Sequence, residues 1–389
     1  MNTKLTSYQL SYWERESFFR GIDVAVIGSG IVGLSAALRL RELAPSARVA
    51  VLERGPLPLG ASTRNAGFAC YGSVSELLDD MDQQGEEAVW SLVERRWLGL
   101  QRLRRRLGDE RIRYEGLGGF ELFRPEEAEL AARCAEALPR FNRQARPITG
   151  LAETYRLANG RISEFGFGNI SQLIWNAGEG QIHTGEMAKA LQEQALAAGV
   201  AIFHGLPVKA LEEQPSGVEI HTDYGWSFRA GSALVATNGF ARRLLPELSV
   251  QPARNQVLIT APLPRLPLRG CFHYDRGYYY FRNIDNRILL GGGRNLDEQG
   301  ETTDEFGTTP LIRNALLQLL REVVLPGQEA TVDSWWSGIL GVGSQKAPII
   351  RQVSPHVVAA VRLGGMGVAI GTLVGEEGAE VVAGRRASV

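Results

Sequence analysis

The residues whose types and spacing best suit a charged ligand are Gly28, Gly30 and Gly33, with an acid at Glu53. They stand in Gly28-Ser29-Gly30-Ile31-Val32-Gly33, preceded by the apolar run 23–27 and followed by the helical pattern 34–43 and a second apolar run, 48–52. This order predicts a buried parallel strand, a tight turn, a helix and a second strand that delivers Glu53 at its end. Gly28 permits the turn, Gly30 lets a pyrophosphate approach the backbone, and Gly33 lets the helix pack close to the strand. Backbone N–H groups around Ile31 and Val32, with the helix dipole behind them, favour phosphate. The Glu53 carboxylate, next to Arg54, is an acceptor for ribose hydroxyls. The unit therefore predicts dinucleotide binding, with NAD and FAD both open on these residues alone.

The elements that must position this site follow along the chain. The segment after Glu53, GPLPLGASTRNAGFACYG, is rich in small and polar residues; Ser62, Thr63, Arg64 and Asn65 are candidates to meet phosphates. Helical patterns cover 86–107, 126–138 and 184–199, and strands are expected at 118–123 and 200–203. Residues 218–221 and 226–229 read as a hairpin, followed by a separate short strand at 232–236. A β-rich block follows, with runs at 255–261, 278–282 and 287–291. Near the end, the strand 357–363 leads into a second glycine-rich turn and a helix carrying Gly371 and Gly375.

With 389 residues the chain is long enough for two lobes. Its hydrophobic content of 44% and charged content of 22% are those of a soluble globular protein. A net charge of −1 argues against a nucleic-acid partner. No segment is apolar and long enough to span a bilayer, and the N-terminal stretch with Tyr8, Tyr12, Trp13, Phe18 and Phe19 lacks a signal-peptide core. It reads as an arm packed on the domain or on a partner. Cys70, Cys134 and Cys271 are scattered, as are the five histidines, so spacing points to no disulfide framework and no metal site. A cytoplasmic, metal-free protein is the expectation.

These pieces, in this order, resemble the FAD-dependent D-amino-acid oxidase superfamily, which includes glycine, sarcosine and γ-glutamylputrescine oxidases, and the resemblance runs from about 22 to 385. GASTRNAGF at 60–68 resembles the family's second flavin loop, in the form of the γ-glutamylputrescine branch, and adds Ala66 and Gly67 to the cofactor set. The run 178–211 resembles its middle segment, where the position of Val208 meets the adenine. ALVATNGF at 233–240 resembles its Ala-Thr-Gly strand end, represented here by Ala236 and Thr237. RILLGGGR at 287–294 resembles its substrate-lobe strand. GGMGVAIG at 364–371 resembles its C-terminal loop, which brings Gly364, Gly365, Met366, Gly367 and Val368 towards the flavin pyrimidine ring.

The resemblance implies an α/β fold, α+β overall: a Rossmann-like FAD domain and an antiparallel-sheet substrate domain. The expected division is 20–88, 170–238 and 334–389 for FAD, and 89–169 and 239–333 for substrate. It also implies hydride transfer from a C–H next to an amine nitrogen to flavin N5, giving an imine that hydrolyses, with oxygen or a redox carrier as acceptor. Leu340 occupies the place where amino-acid-oxidising members carry a carboxylate-gripping arginine. Arg282 is the candidate substitute, and Tyr278, Tyr280 and Trp336 are candidate pocket walls, the two tyrosines alternating to one strand face. Lys346 is the candidate to stabilise a reduced flavin or superoxide. No cysteine follows Cys271, so FAD is expected to be non-covalent. Leu340 and the resemblance of the Asn65 loop to the γ-glutamylputrescine branch make a small-molecule amine or N-substituted amine the expected substrate. The competing readings are an amino-acid dehydrogenase that passes electrons to a quinone or carrier, an NAD enzyme, and a non-catalytic flavin-binding protein.

Overall fold

The computed structural model describes residues 8–384. The chain divides into two compact units, one formed by residues up to Thr63, Gly185–Ala253 and Leu340 onward, the other by Arg64–Thr184 and Arg254–Ile339.

The first unit is built on a parallel sheet. Strand Ile22–Ile27 lies between Val49–Glu53 and Ser227–Val235, with Ala201–His204 and Val357–Val361 completing the parallel set. Ile349–Ser354 is added antiparallel at one edge. Val24 pairs with both Val49 and Ser232. Residues 24–27 and 49–53 are buried throughout, as expected of strands covered on both faces. Helices Ile31–Leu43 and Gly367–Val382 pack on each other at backbone distance: a Cβ on Gly375 would lie 2.4 Å from the Val32 carbonyl oxygen. At the N-terminus, Leu10 is buried and Phe19 packs on Phe203, Trp226 and Phe228, whereas Tyr12, Trp13 and Phe18 are exposed.

One expectation is corrected here. Residues 226–229 and 232–236 do not form two elements; Ser227–Val235 is a single strand. Its first half pairs antiparallel with Gly217–Thr222 and its second half parallel with Ile22–Ile27. Gly231 looks like a break in sequence but is needed because a Cβ there would meet the Asp23 carbonyl oxygen at 2.8 Å.

The second unit carries an eight-stranded sheet in the order Val332–Val342, Gln251–Thr260, Arg287–Gly292, Tyr279–Ile284, Cys271–Tyr274, Gly119–Phe123, Gln172–Asn176 and Tyr155–Leu157. Antiparallel pairing dominates; Cys271–Tyr274 and Gly119–Phe123 run parallel. One face is apolar: Phe120, Phe272 and Phe281 sit side by side across three strands and stack. Helix Pro310–Leu319 contributes Ile312 and Leu316 to that core.

The boundaries differ from those expected. Residues 64–88 belong to the second unit, because helix Val74–Gln84 buries Val74, Leu77 and Leu78 against Trp90, Val93 and Phe141 of helices Glu86–Leu107 and Ala128–Thr149. Residues 172–176 belong there too, as a strand paired with 119–123. The helix expected at 126–138 runs on to Thr149 through Pro139 and Pro147, its apolar face overriding the proline signal. No helix among the described residues is long and apolar enough to cross a membrane.

Candidate cofactor and substrate site

In the first unit the glycine turn closes against its neighbours on both sides. Gly28 has φ 107°, which favours glycine, and a Cβ on Gly33 would strike the Gly28 carbonyl oxygen at 1.9 Å. Gly30 caps helix Ile31–Leu43, and the Ile31 N–H donates to Ser62 Oγ at 3.0 Å. Thr63 turns away and donates to the Pro58 carbonyl. The Glu53 carboxylate organises the turn itself. Its Oε2 accepts from the Ser29 N–H at 3.1 Å and from Ser29 Oγ at 2.7 Å, and its Oε1 accepts from the Gly55 N–H at 3.0 Å. A carboxylate has about four lone-pair sites, so acceptor capacity remains for hydroxyls.

Other expected residues of this unit gather around that turn. Ala236 lies against Gly28, since a Cβ on Gly28 would sit 3.0 Å from its carbonyl oxygen. Thr237 Oγ1 is buried with no hydrogen-bond partner among the described residues. Arg54 lies over the Phe240 ring at 3.8 Å. Val208 opens strand Val208–Gln214, just after Leu206, whose N–H donates to the Glu53 carbonyl. Helices 31–43 and 367–382 run parallel: Gly371 meets Ile31, Gly375 meets Val32, and Arg39 pairs with Glu380. The start of helix 367–382, with Gly367 and Val368, therefore lies beside the start of helix 31–43, and the two dipoles reinforce each other towards an anion. Gly364, at φ 57°, donates its N–H to the Gly341 carbonyl, and Gly365 is exposed before Met366. Lys346 is exposed in the loop after residue 342.

These features suit a dinucleotide. The cradle admits phosphates close to the backbone, two helix starts point the same way, and a buried hydroxyl lacks a partner.

In the second unit the sheet face opposite the phenylalanine stack is polar. Strand register places Glu121, His273 and Tyr280 in one row, and Gly119, Cys271 and Arg282 in the next. Tyr280 packs with Ala66, Phe68, Val257, Leu289 and Trp336. Trp336 Nε1 donates to the Arg64 carbonyl at 3.0 Å, Arg64 donates to the Ser337 carbonyl, and Asn65 Oδ1 accepts from the Gly67 N–H. Arg282 is only 3% exposed. Its NH1 donates to the carbonyls of Ile182 at 2.9 Å and Gly67 at 3.4 Å, and its Nε has no partner among the described residues. Burial lowers its pKa, and among the described residues no carboxylate lies within ion-pair range of it.

Tyr278 does not join Tyr280. The strand begins at Tyr279, so Tyr278 lies in the preceding turn, its N–H bonded to the Asp275 carbonyl, and packs on the phenylalanine core. The expected shared strand face is corrected accordingly.

Residues 23–381 match the DAO family, described as FAD dependent oxidoreductase. The chain belongs to this family. It is 28% identical over 284 residues to glycine oxidase of Geobacillus kaustophilus, covering 69% of each chain. Identity to gamma-glutamylputrescine oxidoreductase of Escherichia coli is 25% over 378 residues, 93% of this chain and 84% of the relative. The crystal structure of iminodiacetate oxidase from Chelativorans sp. BNC1 superposes with a TM-score of 0.75 at 22% identity, covering 94% of this chain and 96% of the other. This DAO-family chain is thus an FAD-dependent oxidoreductase.

Sequence reasoning missed the polar cluster of this flavoenzyme around His273. Its Nε2 lies 3.0 Å from Glu179 Oε2, and both groups are buried. Burial pushes the imidazole down, but the Glu179 charge and shared hydrogen bond carry its pKa upward. Glu121 accepts from the Val74 and Ser75 N–H groups, and burial raises its pKa. The available signal was the alternation in Cys271-Phe-His-Tyr and Gly119-Phe-Glu-Leu, which sends polar and apolar residues to opposite faces.

Proposed function

We propose that this flavoenzyme oxidises the C–N bond of an amine or N-substituted amino compound, rather than a simple free α-amino acid, in the cytoplasm. When bound, non-covalently, FAD would supply the two-electron acceptor for forming an imine that water hydrolyses. The chain's own residues orient and enclose the reaction. Gly28, Gly30 and the start of helix 31–43 would hold the pyrophosphate, and the start of helix 367–382 would face the flavin pyrimidine ring. Tyr280, Phe68 and Trp336 offer an apolar wall that favours the neutral amine over the ammonium, since burial penalises charge. The non-covalent reading is supported by the cysteines: Cys70, Cys134 and Cys271 are all buried, and Cys271 Sγ is bonded to the Gly180 carbonyl.

The observation that carries the substrate reading is the arginine inventory. Leu340 stands at the expected clamp position, and Arg282 is buried with NH1 tied to two backbone carbonyls, so its end-on NH1–NH2 fork is not free and only the Nε–NH2 edge is left to meet a carboxylate. A missing charged clamp weakens carboxylate binding by about 2–4 kcal/mol. The relatives named for glutamylputrescine and iminodiacetate support an N-substituted substrate, and glycine oxidase marks the opposing case.

Anaerobic bleaching of the flavin by putrescine and γ-glutamylputrescine is compared with bleaching by glycine, D-alanine and D-proline. Faster bleaching by the first group is the expected outcome. Efficient reduction by the small amino acids, abolished in Arg282→Ala with flavin retained, would overturn the reading. Admitting air afterwards separates an oxidase, which regains colour, from a dehydrogenase, which needs a carrier.

A further inference from the structure

Three side chains of different chemistry converge in the second unit. Cys70 follows strand Phe68–Ala69, Glu179 precedes strand Gly180–Gln181, and His273 lies in strand Cys271–Tyr274. One thiol sulfur, one carboxylate oxygen and one imidazole nitrogen all lie within 4.8 Å of one another, and all three residues are buried. We propose that Cys70, Glu179 and His273 form a binding site for a divalent cation of the zinc class.

The chemistry of the set fits. Thiolate, imidazole and carboxylate are the three side-chain ligands of zinc, which takes four donors tetrahedrally. Bond lengths of about 2.0–2.3 Å need donors roughly 4 Å apart or closer, so a small inward shift completes the set. Three protein ligands leave the fourth position for water or an exogenous donor. The charges also close: a thiolate, a carboxylate and a doubly charged cation sum to zero, which suits a site shut off from water. Binding displaces the thiol proton, and the imidazole ligates through an unprotonated nitrogen, with no electron transfer.

The surroundings hold the ligands in place. Glu179 Oε1 accepts from the N–H groups of Tyr71 and Gly72 at 3.3 and 3.4 Å, which turns Oε2 towards His273. Such outer hydrogen bonds orient a ligating carboxylate. Space for that oxygen exists because residue 119 is glycine: a Cβ there would sit 1.9 Å from Glu179 Oε2. The His273 ring is fixed by an edge contact with Phe68 at 5.3 Å between centroids. Phe68 also meets Tyr280, so an ion here would brace one wall of the proposed amine pocket.

The test uses the flavin-loaded protein produced in zinc-supplemented and in cobalt-supplemented medium. Metal content is measured by mass spectrometry for wild type, Cys70→Ser, His273→Gln and Cys134→Ser, with melting temperature and flavin content as folding controls. About one metal per chain in wild type and Cys134→Ser, and at least a tenfold loss in the other two, is expected for three-ligand binding. Wild type without metal above the Cys70→Ser level, or full metal retention in both ligand variants, overturns the proposal. If the ligand variants do not fold, the cobalt-loaded wild type decides. Tetrahedral cobalt–thiolate bands to the red of the flavin absorption support the site, and their absence overturns it. Neither readout depends on turnover, so the outcome is independent of the substrate reading.

Discussion

At the scale of single residues, Glu53 does more than its sequence position announces. The spacing from Gly33 makes it a candidate ribose acceptor, but three donors from its own chain converge on the carboxylate. Glu53→Lys is therefore expected to lose FAD affinity at least tenfold, about 1.4 kcal/mol. It is also expected to destabilise the protein by roughly 1–3 kcal/mol, because buried N–H groups at Ser29 and Gly55 lose their acceptor. Equilibrium dialysis with FAD and thermal denaturation of the flavin-free form read the two effects separately. A variant that binds FAD weakly yet melts like wild type would show that the Ser29 and Gly55 contacts contribute little. Arg282 shows why the substrate residues were harder to read. Its buried guanidinium and backbone partners at Gly67 and Ile182 are set by strand register and a distant loop, and neither leaves a mark in the local pattern YYYFR.

At the scale of elements, legibility followed locality. The strand–turn–helix–strand unit is closed by contacts between near neighbours, and the structure gives Ile22–Ile27, Ile31–Leu43 and Val49–Glu53 close to where the residues put them. Strand Ser227–Val235 was split because its two halves have different partners, and Gly231 answers to Asp23, about two hundred residues away. Alternation marks Glu121 and His273 as sharing the polarity of their strand faces, but the row Glu121–His273–Tyr280 is assembled only by pairing across three strands. Gly371 and Gly375 belong to this class too, since they let helix 367–382 lie against helix 31–43. Gly375→Ala would place a methyl 2.4 Å from the Val32 carbonyl oxygen and 2.9 Å from Ser35 Cβ. The expected cost is about 1–3 kcal/mol of stability, typical of overpacking. Separation of the two helix starts should also weaken FAD binding, whereas Gly160→Ala, with open space around it and no positive φ, leaves FAD binding unchanged. Melting curves with and without FAD distinguish the variants; equal FAD affinity for Gly375→Ala and wild type would mean that the paired helix starts are not needed for the anion.

At the scale of the whole molecule, neither compact unit is a continuous stretch of chain. The first is assembled from three segments and the second from two. In the first unit, strand Ser227–Val235 lies between Ile22–Ile27 and Val357–Val361, so its sheet cannot be completed until the C-terminal segment is made. Its candidate ligand site has the same property: Gly28 and Glu53 come from one end of the chain, Thr237 from the middle, and the start of helix 367–382 from the other end. A ligand that touches all three segments stabilises only the assembled state, by mass action on the native form. Flavin-free protein should therefore melt at a lower temperature than the FAD-loaded form. The stabilisation free energy should grow with the logarithm of FAD concentration, reaching about 2.7 kcal/mol at a hundredfold excess over the dissociation constant. Differential scanning calorimetry across an FAD series, with NAD as the comparison, measures this directly. A rise produced by NAD and not by FAD would contradict the flavin assignment at its root, whereas a rise with FAD that disappears in Glu53→Lys would tie the stabilisation to the glycine turn.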